Sequence, residues 1–183
     1  MKIINLLHLA FGKRKQPVTT IVLHGTAGSS ARSSASWLKR PEVGLSYHAI
    51  CSDPNDVDGD GTILKCVRDS HVAYHAGKSV GPNGPGVNAY SLGIAASNIE
   101  DGVTPISTKQ WDAMIEWCAA ECTAYPSIQW ITTHAIISPG RKFDPRGPVA
   151  HLSHSKPFPL ATFCKAVSQR CGREIKPWFG RPL

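Results

Sequence analysis

TTIVLHG (19–25) is the stretch on which the reading of this chain turns. Its β-branched and apolar residues run without polar alternation, the pattern of a strand covered on both faces. The strand is expected over Thr19–His24, with His24 at its C-terminal edge. A second run of this kind, Tyr90–Ser97, contains SLGIAAS (91–97), whose small residues permit close packing. A third, Gln129–Thr133, delivers a second histidine, His134. Between the last two lies the clearest helix. Thr108 is expected to cap it, Trp111, Met114, Ile115, Cys118 and Cys122 mark one face, and Pro126 follows its end. A shorter helix is expected over Ala31–Arg40, stopped before Pro41, and a last one over Pro159–Cys171. Ser46–Ser52 and Thr62–Arg68 read as strands flanking the turn DPNDVDGDG (53–61), and Tyr74–Asn88 reads as loop. Strands alternating with helices point to an α/β domain with a central sheet.

The chain has 183 residues, 42% of them hydrophobic, which suits one domain with a real core and is short for two. The sixteen glycines and fourteen prolines are scattered, so no low-complexity tract forms. The net charge of +7 favours polyanionic surroundings and at least a weak attraction to anionic surfaces. Basic residues cluster at Lys13-Arg14-Lys15 and in a sparse C-terminal set, Arg170, Arg173, Lys176 and Arg181. No basic stripe interleaved with aromatics and no nucleic-acid motif accompanies them, so nucleic acid is not the expected partner. No apolar stretch is long enough for a membrane span.

MKIINLLHLAFGKRKQP (1–17) has an early lysine and an apolar run, but Asn5 and His8 interrupt it and a charged cluster follows. That argues against a cleaved signal. The segment is read as a helix or strand whose Ile3, Ile4, Leu7 and Phe11 dock on the domain, with membrane-surface attachment as a further option. The expected organisation is thus an N-terminal extension over 1–17, one domain over 18–171 and a tail over 172–183. None of the six cysteines forms a CxxC pair. Cys118/Cys122 and Cys164/Cys171 read as small core residues. Cys51 and Cys66 lie symmetrically about Asp58-Gly59 and could face each other across a hairpin, oxidised or not according to compartment.

His24, His134 and Asp144 carry the sharpest chemistry. Two imidazoles and a carboxylate are a three-ligand set for zinc that leaves a fourth position for water. Asp144 follows His134 by ten residues, across a loop containing Pro139 and Gly140 that can bring the carboxylate back. Each residue also has a plainer reading: Asp144 as a turn or cap residue, His134 as a hydrogen-bonded core histidine. A competing metal signal, DVDGDG (56–61), mimics half of a calcium loop. Val67 stands at the twelfth position, where a bidentate glutamate is required, so the segment reads as a turn.

IVLHGTAG (21–28), SYHAI (46–50), VAYHAGKS (72–79), SLGIAASN (91–98) and THAIISPGRKFDP (133–145) occur in this order. Together they resemble the zinc-dependent N-acetylmuramoyl-L-alanine amidases of the type-2 amidase and peptidoglycan-recognition-protein superfamily, over about residues 18–170. The resemblance implies a single domain with a central mixed β-sheet flanked by helices and a zinc cleft at one edge. It implies that His24, His134 and Asp144 hold the zinc and that Lys142 faces the water and the reacting carbonyl. Tyr47 matches a tyrosine of phage-type members, and His75 a histidine that lines the same cleft. The expected substrate is peptidoglycan, cut between N-acetylmuramic acid and L-alanine.

Two departures stand out. Gly25 replaces the second histidine of a common double-histidine spelling. Ala95 stands where the wall-recycling members carry a catalytic glutamate, in a GIE phrase that here reads GIA. The proton donor to the leaving amine is therefore open among Tyr47, His75 and a relayed water. The chain resembles a phage or prophage endolysin, cytoplasmic on synthesis and acting on the wall after release. A muropeptide-recycling amidase and a non-catalytic wall-binding module are the alternatives, and the presence of all three ligands argues against the last.

Overall fold

Strand β3 (Thr20–Gly25) is buried at every residue and lies inside a seven-stranded sheet, as its unbroken apolar run requires. The computed structural model describes residues 1–7, 10–152 and 158–180, so His8 and the end of the expected tail, Arg181 included, lie outside the described residues. In chain order, β1 (Ile3–Asn5) and β2 (Phe11–Lys13) precede β3; α1 (Ala31–Leu38), β4 (Ala49–Cys51), β5 (Ile63–Lys65) and β6 (His71–Ala73) follow it. A small hairpin, β7 (Val80–Gly81) and β8 (Gly84–Pro85), and a 3₁₀ turn (Val87–Tyr90) lead to β9 (Ser91–Ala96). The chain ends with α2 (Thr108–Ala124), β10 (Trp130–Thr133), the single turn α3 (His134–Ile137), α4 (Leu160–Cys171) and β11 (Lys176–Pro177).

The sheet order is β1-β5-β4-β9-β3-β10-β11. Only the β4–β5 pair is antiparallel, so the sheet is mixed with a parallel centre, and helices flank both faces. The two-residue period of a strand sorts the side chains. Ile21 and Leu23 of β3 and Leu92 and Ile94 of β9 join the main core with α2 and α4. Val22 faces the other way, into a smaller cluster with Ala76, Val87 and Tyr90. His24 shares that second face, as do Gly93 and Ala95 of β9 by the same alternation. The histidine is thus kept clear of the main core by one step of register.

The cap of α2 is Ser107, one residue before the expected Thr108. Ser107 Oγ accepts the Gln110 N–H at 3.0 Å and the Gln110 side chain returns the bond to the Ser107 N–H, a complete capping box. Ser107 Oγ also donates to Asp60 at 2.6 Å. Ser107→Ala is expected to lower stability by about 1 kcal/mol, read as a lower urea midpoint at unchanged slope; an unshifted midpoint would show that the cap contributes nothing.

Other expectations change. The N-terminal segment forms two strands, β1 pairing parallel to β5 and β2 antiparallel to β6. Ile4 and Leu6 pack on the core beside α1, whereas Ile3, Leu7 and Phe11 are exposed. A strand buries alternate residues, and the spacing 3, 4, 7, 11 would suit only a helix. Cys51 and Cys66 do not face each other. Cys51 sits opposite Ile63 and joins the main core, while Cys66 lies beyond β5 in the cluster on the opposite face. The expected loop 74–88 contains the β7–β8 hairpin, turned by Pro82-Asn83. In the turn 53–61, Asp56 gives its carboxylate to the N–H groups of Ala31, Arg32 and Asp53, which closes the start of α1.

Candidate metal centre

His24 and His134 stand at the C-terminal ends of neighbouring parallel strands, β3 and β10, where open α/β sheets present ligands. His134 opens α3, whose first turn is capped by Thr133 Oγ1. The loop after α3 folds back: Ser138 O accepts the N–H groups of Arg141 and Lys142, and the Ala135 N–H bonds to Asp144 O at 2.9 Å. Arg141 pins the same loop by donating to Ala76 O, Lys78 O and Ser138 Oγ. Asp144 is thereby returned to the histidines.

Asp144 Oδ2 lies 3.3 Å from His24 Nδ1 and 3.1 Å from His134 Nδ1, and one ligand atom from each of the three falls within 4.8 Å of the others. Tetrahedral zinc with bonds of about 2.05 Å separates its donors by roughly 3.3 Å. The donor chemistry and the spacing therefore fit such an ion.

Both imidazoles use the remote nitrogen elsewhere. His134 Nε2 donates to Ala76 O at 3.3 Å. His24 Nε2 is 2.9 Å from His75 Nδ1, His75 Nε2 is 3.1 Å from Ser91 Oγ, and Ser91 Oγ donates to Val87 O at 2.7 Å. That last bond fixes the direction of the chain. Ser91 accepts from His75 Nε2–H, and His75 Nδ1 accepts from His24 Nε2–H, which leaves the His24 Nδ1 lone pair facing Asp144. Outer partners of this kind set the tautomer of a metal ligand. His75 is buried behind His24 and is not part of the cleft wall that the resemblance assigned to it. Its ring covers Gly93, where a Cβ would meet the imidazole at 2.5 Å.

Burial holds His24 down to about 4, with Asp144 opposing the shift, and burial also lowers His75. Both rings are neutral near pH 7, as a ligand and its partner must be. Burial alone would raise Asp144, but the approach of His134 and His24 outweighs it and holds the carboxyl well below its usual range.

His134 and Asp144 line a cleft of about 700 Å³, with His24 buried beside them. One wall is the start and face of α1, with Ser33 and Trp37; the other carries Lys142, Phe143 and Arg146. Lys142 opens onto the cleft and is close enough for its charge to act on His24. Tyr47 is half-buried with its ring centroid 5.1 Å from that of His24. Burial, then the charges of Asp144 and Glu100, push its phenol upward, so it is a hydroxyl donor at neutral pH. Glu100 also lines the cleft, marked by no motif, and burial raises its carboxyl to about 8. Ala95, the missing carboxylate position, pairs with His24 across β9 and β3.

Residues 14–147 match the family described as N-acetylmuramoyl-L-alanine amidase. No curated protein matches the chain. Among solved structures, AMPDH3 from Pseudomonas aeruginosa in complex with anhydromuramic pentapeptide superposes with a TM-score of 0.68 at 24% identity, over 87% of this chain and 61% of that one. AmiD from E. coli, bound to the substrate anhydro-N-acetylmuramic acid-L-Ala-D-gamma-Glu-L-Lys, gives 0.65 at 24%, over 88% and 62%. The chain thus spans about six tenths of the length of these two. The N-acetylmuramoyl-L-alanine amidase LysC from Clostridium intestinale gives 0.62 at 18%, over 95% and 99%. At these identities the structures establish a shared fold.

Proposed function

The chain belongs to the N-acetylmuramoyl-L-alanine amidase family, and from that premise we propose that it hydrolyses the muramoyl–L-alanine amide of peptidoglycan with zinc held by His24, His134 and Asp144. The observation that carries the metal assignment is the pair of Nδ1 atoms 3.1 and 3.3 Å from one Asp144 oxygen, each imidazole with its other nitrogen already engaged.

A zinc ion there supplies a water of lowered pKa and polarises the carbonyl. The protein's own groups do the rest. Lys142 brings a positive charge to the side of the cleft where the carbonyl oxygen becomes an oxyanion, and the Tyr47 hydroxyl offers a second donor. The aromatic and basic walls around Trp37, Phe143 and Arg146 suit a polar, partly anionic glycopeptide. Among the described residues no helix is long and apolar enough to cross a membrane.

The setting proposed is a phage-type endolysin, made in the cytoplasm and acting on the wall after release. A muropeptide-recycling amidase is the second reading, favoured by the anhydromuramoyl peptides bound in AMPDH3 and AmiD. Purified protein is expected to release new L-alanine amino termini from intact sacculi, to stop on chelation and to resume with zinc. Protein that releases none sinks the amidase reading; preference for soluble anhydro-muropeptides over sacculi would move it to recycling.

A further inference from the structure

Glu100 lies four residues beyond the end of β9, in a turn that holds it in an unusual pose. Asn98 Oδ1 accepts its N–H at 2.8 Å, and its φ is +58°, the left-handed region that a residue with a side chain occupies at a cost on the order of 1 kcal/mol. The side chain then reaches across the strand end at Gly25. A Cβ on residue 25 would stand 1.6 Å from Glu100 Oε1, so the carboxyl fills space that any other residue there would claim. A histidine at position 25 would require the Glu100 side chain to swing away from this pose.

The two carboxylate oxygens differ. Oε2 accepts the Arg146 N–H at 2.6 Å, which fixes the plane of the group. Oε1 is buried and has no hydrogen-bond partner among the described residues. An orphaned buried acceptor costs about 1–3 kcal/mol, and such groups call for an explanation in the function of the site. The group also lines the cleft that holds Tyr47, Lys142, His134 and Asp144. Left-handed backbone, close approach to a glycine, a buried unsatisfied oxygen and a place in the cleft lining all converge on one side chain.

We propose that Glu100 carries the proton from the attacking water to the leaving nitrogen, replacing from a loop the carboxylate that Ala95 lacks on the strand. The role rests on the amidase reading. In the ionised form of Glu100, a water O–H bond breaks, its proton passes to the carboxylate, and the oxygen bonds to the lactyl carbonyl carbon. The C–N bond then breaks as the nitrogen takes that proton, and Glu100 returns to carboxylate. The acid product finally loses its own proton and the free amine gains one.

Glu100→Gln keeps the volume and an acceptor for the Arg146 N–H, so fold and zinc content are expected to persist, checked by thermal unfolding and metal analysis. On the muramoyl–L-alanine amide its kcat is expected to fall by about 100-fold or more, with KM little changed. On the 4-nitroanilide of N-acetylmuramic acid, whose amine leaves with little need of a proton, the loss should be clearly smaller, because only the removal of the water proton is then missed. A variant within about threefold of wild type on the amide, or one equally impaired on both substrates, overturns the role while leaving the amidase reading intact. Wild-type protein that cleaves neither sacculi nor muropeptides fails at the earlier step and removes both.

Discussion

His134→Ala is expected to leave a folded protein that holds no stoichiometric zinc and retains below roughly a thousandth of wild-type amidase activity. Losing an outer partner of a metal ligand costs about 10–100-fold in affinity, and losing one of three ligands costs more. The fold should survive, because the carbonyl that His134 serves, Ala76 O, keeps a donor in Arg141 Nη2 at 2.9 Å. Asp144 remains near His24, but a two-ligand set no longer encloses an ion. Zinc per chain after dialysis and amino-terminus release from sacculi are the measurements. Wild-type values for both would remove the metal assignment.

Lys142→Met separates charge from coordination. Removing one preorganised donor to an oxyanion lowers kcat by about 10²–10³, or roughly 2.7–4 kcal/mol. Zinc content should stay at wild-type level or rise, since the Lys142 charge disfavours positive charge at His24 and its removal relieves that repulsion. KM is expected to change little, because the interaction strengthens only as the oxyanion forms. A variant with unchanged kcat would reduce Lys142 to a solvated loop charge; one that loses zinc would make it a structural support of the Asp144 loop.

Continuous patterns made the centre of the fold legible. β3 and β9 announce themselves as unbroken apolar runs, and α2 as a 3.6-residue period ended by proline, because burial on both faces or on one stripe leaves a long regular trace. Strands of three residues leave less: β4 and β5 fall within the runs 46–52 and 62–68 read as strands, whereas others leave little trace. β1, β2 and β6 exist by pairing with neighbours distant in sequence, so nothing local signals them, and the register that puts Cys51 and Cys66 on opposite faces is equally invisible. The site divides in the same way. His24, His134, Asp144 and Lys142 sit in recognisable phrases; the structure gathers the first three together and places His134, Asp144 and Lys142 in the lining of one cleft. His75 was visible as a residue, but its place behind His24 depends on the close approach at Gly93. Gly25 and Ala95 could be seen as departures. That Gly25 makes room for a side chain 75 positions later follows only from a left-handed turn at Glu100.

Arg14, which belongs to a run that reads as surface charge, is turned inward. Its guanidinium donates to four carbonyls, those of Asp69, His71, Ala89 and Ser91. The Asp69 charge acts on it, but among the described residues no carboxylate pairs with it directly, and it is a rivet through backbone. Two of those carbonyls belong to residues beside the hydrogen-bond chain that orients His24: Ser91 is a link in it, and Ala89 lies in the turn just before. A chain trimmed ahead of β3 would keep every candidate ligand and every phrase of the motif, yet leave these part-buried acceptors without their donor. The floor beneath the metal site is therefore laid by residues that carry no chemistry of their own, and an attempt to cut the protein to its shortest active form meets its limit at Arg14.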